Sequence, residues 1–401
     1  MSFKTLNDAP LKGKKVLLRA DLNVPAENGT VTDTTRIDRL KETISFLVKS
    51  GAQTIILSHF GRPKAKVEPE YSLSFLIPVL SQQWAHKVTF VSDCIGAVAE
   101  NAVQNMRDGE IILLENVRFH AGEEKNDPAF AKSLAKLGDI YVNDAFSAAH
   151  RAHASTEGLA HLLPAYAGML MSAELSALQN ALEAPKKPVM AVVGGAKVSS
   201  KLSVLNNLVR KVNFLVLGGG MANTFLYAQG IEVGKSLCER DMADEARRIW
   251  DTAKASGCQI ILPSDRVTVK EFGKGVPTQI LKTEALTPDV EAVDIGPQSI
   301  TDITDILSKC KTVLWNGPMG VFEVKPFDAG TNGLAQAVAR LTASGQILSV
   351  AGGGDTVSAL ENAGVADQFT YVSTAGGAFL EWLEGKTLPG VSALTQPHKA
   401  A

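Results

Sequence analysis

The sequence lacks the features that mark membrane proteins, secreted proteins and cysteine-rich metal proteins. It contains no run of about 18 apolar residues, and its first residues, Met-Ser-Phe-Lys-Thr-Leu, include no apolar core of a signal peptide. Its four cysteines form no CxxC pair and no other metal-ligand spacing. We therefore expect a cytoplasmic protein whose thiols are reduced and mostly buried. They are Cys94, Cys238, Cys258 and Cys310.

Net charge is also nearly absent. The 401 residues include 40 Lys and Arg against 42 Asp and Glu, for a formal charge of -2. This balance provides no overall basic field for nucleic acid or an anionic membrane. With 45% hydrophobic and 20% charged residues, the chain is typical of soluble globular proteins, and its length fits two or three domains of about 150 residues. Affinity for an anion must come from locally placed basic side chains.

Short, continuous apolar runs alternate with segments of helical period along the chain. Continuous hydrophobicity indicates strands buried on both faces, which is typical of parallel sheets. The runs lie at 15–19, 54–57, 88–91, 111–114, 140–142, 189–193, 214–217, 259–262, 312–314, 346–350 and 369–372. Apolar stripes at 37–48 and 95–106 predict helices between them. We expect an α/β fold of doubly wound, Rossmann-like parallel sheets, with ligands at the carboxyl ends of the strands.

One segment breaks this alternation. Residues 170–184 have the pattern of a helix with no strand before it, and the Pro-Lys-Lys-Pro stretch at 185–188 ends that helix. We therefore predict two α/β domains joined by a helix and hinge. The expected segments are an N-terminal domain at 1–170, the connecting helix and hinge at 171–187, a C-terminal domain at 188–388, and a tail at 389–401 that returns to the N-terminal domain.

Four successive strand ends in the first half carry Arg, His or Asp. Asp21 and Asn23, two residues apart, suit the hydroxyls of a small polar ligand, and arginines can fork onto a carboxylate or phosphate. Each motif alone is equally compatible with a turn or a solvated loop. Arg36 opens the first helix, where the helix dipole disfavours a cation. Together these features predict a site for an anionic small molecule.

Two histidines in the last of these motifs raise the alternative of a metal site. His150 and His153 have i, i+3 spacing, but no cysteine or carboxylate cluster joins them at ligand spacing. We therefore do not expect zinc there, and interpret the histidines as hydrogen-bond donors to an anion.

The second half carries glycine clusters after its strands and no G-x-x-x-x-G-K-[ST] phosphate loop. A glycine pair at 194–195 precedes Lys197 and Lys201, whose spacing would place both on one helix face within reach of phosphate oxygens. A glycine triplet at 352–354 precedes Asp355, offering helix N-terminal amides and an oxygen ligand for magnesium. Each cluster alone could be a tight turn, but together they predict a nucleotide site.

These motifs resemble the signature motifs of the phosphoglycerate kinase family. They stand in family order across almost the whole chain. They are RADLNVP (19–25), SHFGRP (58–63), LENVRF (114–119), NDAF…AHRAHAS (143–155), GGAKVSSK (194–201), GGGMANTF (218–225), WNGPMGVFE (315–323), GGGDT (352–356) and STAGGAF (373–379). One departure is Ser147-Ala148, where the family pattern has Gly-Thr.

The resemblance implies a glycolytic and gluconeogenic kinase. It would transfer a phosphoryl group reversibly between 1,3-bisphosphoglycerate with ADP and 3-phosphoglycerate with ATP, using Mg²⁺. The N-terminal domain would bind 3-phosphoglycerate, the C-terminal domain would bind nucleotide, and a hinge would close to bring the substrates in line. The implied protein is a monomer with small-molecule partners, without nucleic acid or membrane.

The family's functional residues carry over in two sets. Residues implied to bind the glycerate substrate are Asp21, Leu22, Asn23, Arg36, His59, Phe60, Gly61, Arg62, Arg118, His150 and Arg151. Residues implied to bind nucleotide are Gly195, Lys197, Lys201, Gly219, Asn316, Glu323, Gly353, Gly354, Asp355 and Thr356, with Asp355 also holding magnesium. Arg36 and Lys201 would act catalytically by stabilising charge on the transferring group.

Two other classes fit less well. A non-catalytic two-domain binding protein would not need one arginine-rich and one glycine-rich site. A nicotinamide dehydrogenase would share the α/β fold, but no strand is followed by G-x-G-x-x-G with an acidic residue about 20 positions later.

Overall fold

The computed structural model describes residues 3–395, which form alternating strands and helices. The strands are β1 (Lys15–Arg19), β2 (Ala26–Glu27), β3 (Thr30–Val31), β4 (Gln53–Leu57), β5 (Val88–Val91), β6 (Ile111–Leu114), β7 (Ile140–Asn143), β8 (Ala165–Ala167), β9 (Val189–Val193), β10 (Phe214–Leu217), β11 (Gln259–Ile261), β12 (Asp265–Val269), β13 (Gln279–Lys282), β14 (Glu291–Ile295), β15 (Thr312–Asn316), β16 (Leu348–Gly352) and β17 (Tyr371–Ser373). Every apolar run predicted as a strand forms one, with shifts of up to two residues at the ends.

The helices occupy most of the segments between the strands. They are α1 (Thr35–Arg39), α2 (Lys41–Lys49), α3 (Ile77–Trp84), α4 (Gly96–Gln104), α5 (Pro128–Ala135), α6 (Leu159–Leu162), α7 (Met169–Leu178), α8 (Leu202–Leu208), α9 (Gly219–Ala228), α10 (Ala243–Ala255), α11 (Pro297–Leu307), α12 (Ala329–Ala343), α13 (Gly354–Asn362), α14 (Gly376–Leu383) and α15 (Pro389–Thr395). Among residues 3–395, no helix has the length and apolar character needed to cross a membrane.

The chain folds into two compact units. The first runs to Leu175 and includes the segment from Thr387, and the second spans Ser176–Lys386. The division falls within α7, inside the helix expected to connect two domains. Of the predicted tail, 389–395 forms α15, whose Ala393 packs in a core cluster of the first unit, and 396–401 lie outside the described residues.

The first unit is built on a six-stranded parallel sheet in the order β5-β6-β4-β1-β7-β8. Both faces are covered, because Val16 and Leu18 face one apolar cluster while Leu17 faces another. Arg19 stands opposite Leu57 on one side and Asn143 on the other. The central strands therefore end level with one another, and the loops that follow them meet at one edge.

The second unit contains a six-stranded parallel sheet in the order β11-β10-β9-β15-β16-β17. Val193 of β9 stands opposite Leu217 and Asn316, so the glycine-bearing loops after β9, β10 and β15 also share an edge. This order is that of the Rossmann fold, in which ligands bind where the strand order reverses. The predicted α/β class, with two doubly wound parallel sheets, is confirmed.

The structure also corrects the sequence analysis. The connecting helix, α7, does follow a strand, the three-residue β8. The last part of the predicted helix, at 179–183, is a π-helical segment. A three-stranded sheet, β13-β12-β14, and the short hairpin of β2 and β3 were not predicted. Their strands are antiparallel, and β13 is mostly exposed, so they lack the continuous apolar run that marked the parallel strands.

Candidate ligand sites at the two sheet edges

In the first unit, the side chain of Arg36 is fixed by Asp21 and by the backbone of Asn23. Its Nη1 donates to the backbone oxygen of Asn23 at 2.7 Å and lies 3.1 Å from Oδ2 of Asp21. Ser147 donates its hydroxyl to the same Oδ2. The departure from the family pattern at position 147 therefore adds a hydrogen bond to a predicted site residue, because glycine has no hydroxyl to donate.

Asn23 and Arg118 both form hydrogen bonds with the backbone of Gly61. The Gly61 amide donates to Oδ1 of Asn23 at 2.9 Å, and Nη1 of Arg118 donates to the Gly61 oxygen at 2.7 Å. Gly61 has φ +60, and a Cβ there would lie 2.3 Å from Cδ1 of Tyr71, so this position requires glycine. The loop after β4 thus aligns one amide acceptor and one guanidinium at the sheet edge.

A buried chain of hydrogen bonds reaches His59 from beneath. Arg19, which is almost fully buried, donates from Nε to the Ser155 hydroxyl at 2.8 Å, and that hydroxyl donates to Oε1 of Glu123 at 2.5 Å. Nη2 of Arg19 lies 3.0 Å from Nδ1 of His59. A guanidinium can only donate, so Nδ1 must accept and the imidazole proton resides on Nε2.

The electrostatics agree with a neutral His59. Burial, and then the neighbouring charges of Arg19 and Arg118, lower its pKa well below the ordinary value. Burial and the same arginines lower the pKa of His153 to about 4. Both histidines are therefore neutral at physiological pH, and a protein field of this sign favours a bound anion.

Three buried members of this site were not predicted from the sequence: Arg19, Ser155 and Glu123. A signal existed for Arg19, since an arginine at the end of a strand buried on both faces needs a buried partner. Nothing local identified that partner, because Ser155 lies 136 residues away.

The remaining predicted residues of this unit take different positions. Arg62 is exposed and pairs with no side chain of residues 3–395, whereas Arg151 donates from Nε to Nε2 of His150 at 3.2 Å. Leu22 is buried, and its amide donates to the Ser58 hydroxyl at 3.0 Å. Phe60 packs edge-on against Phe75, with ring centroids 5.1 Å apart. Leu22 and Phe60 therefore shape the loops, while Arg62 and Arg151 are accessible cations.

In the second unit, the loops after β9 and β10 cross the loop after β15 and contact it through backbone atoms. The Gly194 amide donates to the Asn316 oxygen at 3.0 Å, and the Gly219 amide donates to the Met319 oxygen at 2.9 Å. A Cβ at position 194 would stand 1.7 Å from the Pro318 oxygen, which is a backbone atom. Glycine is thus required for the close approach of the loops after β9 and β15.

Lys201 lies at this crossing. Its Nζ donates to the Gly194 oxygen at 2.8 Å and to the Asn316 oxygen at 3.2 Å. Burial lowers its pKa to about 8, and the carboxylate of Asp355 partly opposes that shift. The expectation that Lys197 and Lys201 share a helix face is wrong, because α8 begins at Leu202 and Lys197 is exposed in the preceding loop.

The loop after β16 is tied to the same crossing. Asn316 donates from Nδ2 to the Gly352 oxygen at 2.7 Å, and the Gly317 amide donates to Oγ1 of Thr356 at 2.7 Å. Gly353 has φ +101 and directly precedes α13, whose first turn carries the exposed Asp355. With the contacts of Gly194 and Lys201 to Asn316, these bonds join three of the predicted nucleotide-binding segments.

The remaining predicted nucleotide residues fall into two groups. Gly195 and Gly219 take part in the contacts of this edge, since a Cβ on Gly219 would stand 2.6 Å from the Gly195 oxygen. Glu323 is exposed in the loop after β15, and Gly354 is exposed at the start of α13. Asp355 fits a magnesium ion, because that ion is usually held by one or two carboxylates together with substrate phosphates.

The fold and these two edges define an α/β protein with two candidate ligand sites, one with arginine and histidine side chains and the other with glycine backbone and a buried lysine. The phosphoglycerate kinase family model matches residues 6–386. A phosphoglycerate kinase of Rhodospirillum centenum is 59% identical over 98% of this chain and 100% of its own, and one of Methylorubrum populi is 58% identical over 98% of both.

Solved structures agree with these relatives. The phosphoglycerate kinase of Coxiella burnetii superimposes with a TM-score of 0.93 at 44% identity, covering 99% of this chain and 100% of that one. That of Pyrococcus horikoshii gives 0.80 at 31% identity, covering 98% of each. The chain belongs to the phosphoglycerate kinase family and is an enzyme of the kinase class.

Proposed function

We propose that the protein catalyses reversible phosphoryl transfer between 1,3-bisphosphoglycerate with ADP and 3-phosphoglycerate with ATP. The observation that carries this proposal is the pairing of two unlike sites in one family member. The first unit presents arginines and neutral histidines at a sheet edge, and the second presents glycine-lined backbone with one buried lysine. We place this enzyme in the cytoplasm as a monomer acting on small molecules.

The first unit is the proposed glycerate site. Asp21 and Asn23 would bind the glycerate oxygens, with Gly61 keeping the Asn23 amide oriented. His59 would donate from Nε2, and His150 would also act as a hydrogen-bonding group. The arginines Arg36, Arg62, Arg118 and Arg151 would neutralise the carboxylate and phosphate. Leu22, Phe60 and Gly61 would form the loop surface beneath the ligand.

The second unit is the proposed nucleotide site. Gly195, Gly219, Gly353 and Gly354 would allow close approach of the nucleotide, and Glu323 would accept from ribose hydroxyls. Lys197, Lys201, Asn316 and Thr356 would lie along the phosphates. Asp355 would hold Mg²⁺, which neutralises phosphate charge during transfer.

Charge stabilisation supplies most of the proposed catalysis. The transferring phosphoryl group spreads negative charge over three oxygens, and the attacking carboxylate or ADP phosphate is already an anion. No general base is therefore needed. Arg36 and Lys201 would stabilise the developing charge, and hinge closure would bring the reactants in line and exclude water.

The test is a coupled assay with ATP, magnesium and 3-phosphoglycerate that follows the NADH-dependent reduction of bisphosphoglycerate. We expect turnover in the wild-type protein, and Lys201→Ala should lower kcat about 100-fold to 1,000-fold, as for other preorganised electrostatic groups. Lys211→Ala, at an exposed lysine of the same unit, is the matched control. Absence of turnover in the wild-type protein with both ligands bound would favour the non-catalytic alternative.

Arg36 has a separate prediction. Arg36→Ala should lower kcat by a similar factor of about 100 or more, because the guanidinium would act on the charge of the transferring group. Arg107→Ala removes an exposed arginine of the same unit and should leave kcat unchanged. Normal turnover in Arg36→Ala would remove this residue from the mechanism.

A further inference from the structure

A cluster of three different metal-ligating side chains lies in the first unit, outside the residues assigned to substrate. Asp93 and Cys94 follow β5, and His120 follows the 3-10 turn after β6, the neighbouring parallel strand. One ligand atom from each residue lies within 4.8 Å of the other two. We propose that Asp93, Cys94 and His120 form a zinc-binding site with its fourth position open to water.

The cluster is already organised around one carboxylate oxygen. Oδ1 of Asp93 is 2.7 Å from Nε2 of His120 and also accepts from the Cys94 amide at 2.7 Å. The His120 ring stacks on Phe130, with centroids 5.2 Å apart and planes inclined by 26°. Two of the three ligands are therefore oriented before an ion arrives, which lowers the entropy lost on binding.

Small movements would complete the coordination. Zinc bonds of about 2.0 to 2.3 Å place tetrahedral ligand atoms about 3.3 to 3.7 Å from one another. The present spacing spans that range, from 2.7 Å between oxygen and nitrogen to at most 4.8 Å for the remaining pairs. Displacements of about 1 Å or less would therefore suffice, without a change of fold.

The cluster is accessible from one side. Cys94 is fully buried, whereas the side chains of Asp93 and His120 are 42% and 29% exposed, so an ion can enter past them.

The donor set selects zinc over magnesium. Thiolate and imidazole suit zinc, whereas magnesium takes oxygen ligands. On binding, the thiol proton of Cys94 leaves to solvent. The imidazole proton of His120 moves to Nδ1, so that the Nε2 lone pair faces the ion. This inference does not rest on the proposed phosphoryl transfer.

The test uses the full-length protein, freed of metal and without nucleotide or magnesium. Zinc titration should give one site, and Co²⁺ as the spectroscopic probe should give tetrahedral visible bands with a thiolate-to-metal charge-transfer band. Cys94→Ser should abolish the charge-transfer band, and His120→Gln and Asp93→Asn should each weaken zinc binding at least about tenfold. Cys238→Ser, at the half-buried cysteine of the other unit, should retain both signals.

A stability readout covers variants that fold poorly. Zinc should raise the melting temperature of the wild-type protein, because it binds the folded state, and should not raise that of His120→Gln. His120 is partly exposed, so this variant avoids a change in the apolar core. The proposal is wrong if the wild-type protein binds no zinc, or if the charge-transfer band survives in Cys94→Ser. Both results are independent of catalytic turnover.

Discussion

The two sheet edges that we propose as ligand sites are built by different physical means. In the first unit, other charged or polar side chains fix the charged ones. Asp21 pairs with Arg36. Ser155 accepts from Arg19 and donates to Glu123. In the second, the strand-end loops meet through backbone atoms, and a single lysine occupies their crossing. The first arrangement provides charge that persists at any physiological pH, and the second provides close approach.

The two parallel sheets also differ in strand order. Numbering the strands of each parallel sheet in chain order, the second unit has the order 3-2-1-4-5-6, while the first has 3-4-2-1-5-6. In both, the site includes the loop after the first strand of the sheet, at Asp21 in one and Gly194 in the other. Residues there can reach loops on both sides, which explains why each site gathers groups from distant parts of the chain.

Stability should be most sensitive to one added methyl group at the sheet edge of the second unit. Gly194→Ala would place a Cβ 1.7 Å from a backbone oxygen, so we expect a loss in the free energy of unfolding of about 3 kcal/mol or more. Urea denaturation measures this loss. Gly354→Ala is the matched control, since a Cβ there meets nothing within 4 Å. Equal stability of the two variants would show that the loops after β9 and β15 can move apart at little energetic cost.

The charged site should instead be sensitive to loss of one hydroxyl. Ser155→Ala removes a hydrogen-bond donor from buried Glu123 and an acceptor from buried Arg19, so we expect destabilisation of about 2 to 3 kcal/mol. Because Arg19 would no longer be fixed beneath His59, KM for 3-phosphoglycerate should rise more than kcat falls. Steady-state kinetics separate the two effects. Ser92→Ala, at an exposed serine, is the control, and an unchanged KM would limit the hydrogen-bond chain to stability.

A smaller effect, on the pH dependence of nucleotide binding, distinguishes lysine from arginine at position 201. The lowered pKa of Lys201, about 8, means that the ligand-free protein loses this charge as pH rises. Phosphates select the charged form, so nucleotide affinity should fall about tenfold between about pH 7 and about pH 9. In Lys201→Arg the affinity should stay flat, since a guanidinium remains charged. Calorimetric titration over this range measures it, and an equal fall in both proteins would assign the titration to another group.

Acid should destabilise the first unit through His153. The pKa of His153, about 4 in the folded state, lies below its ordinary value, so the associated stability is present above about pH 6.5 and lost as pH falls toward 4. The full shift corresponds to about 3 kcal/mol. His153→Gln should therefore show a shallower fall in unfolding free energy over this range than the wild-type protein. His86→Gln, at a partly exposed histidine, is the control.

Much of the fold could be predicted from neighbouring residues. Every continuous apolar run became a strand, because burial on both faces needs only apolar residues in succession. The strands β12 to β14 were missed because their antiparallel pairing leaves part of the sheet exposed. The short β8 was missed because three residues carry too little pattern.

The sequence by itself determined where the chain bends and which side chains stand at the strand ends. Glycine at Gly61 or Gly194 and arginine at Arg36 are local choices, recognisable in motifs of a few residues. Only the tertiary structure decided the strand order, the bond from Arg19 to Ser155 and the lowered pKa of Lys201. These depend on burial and on contacts between residues far apart in the chain, and neither is a property of a local segment.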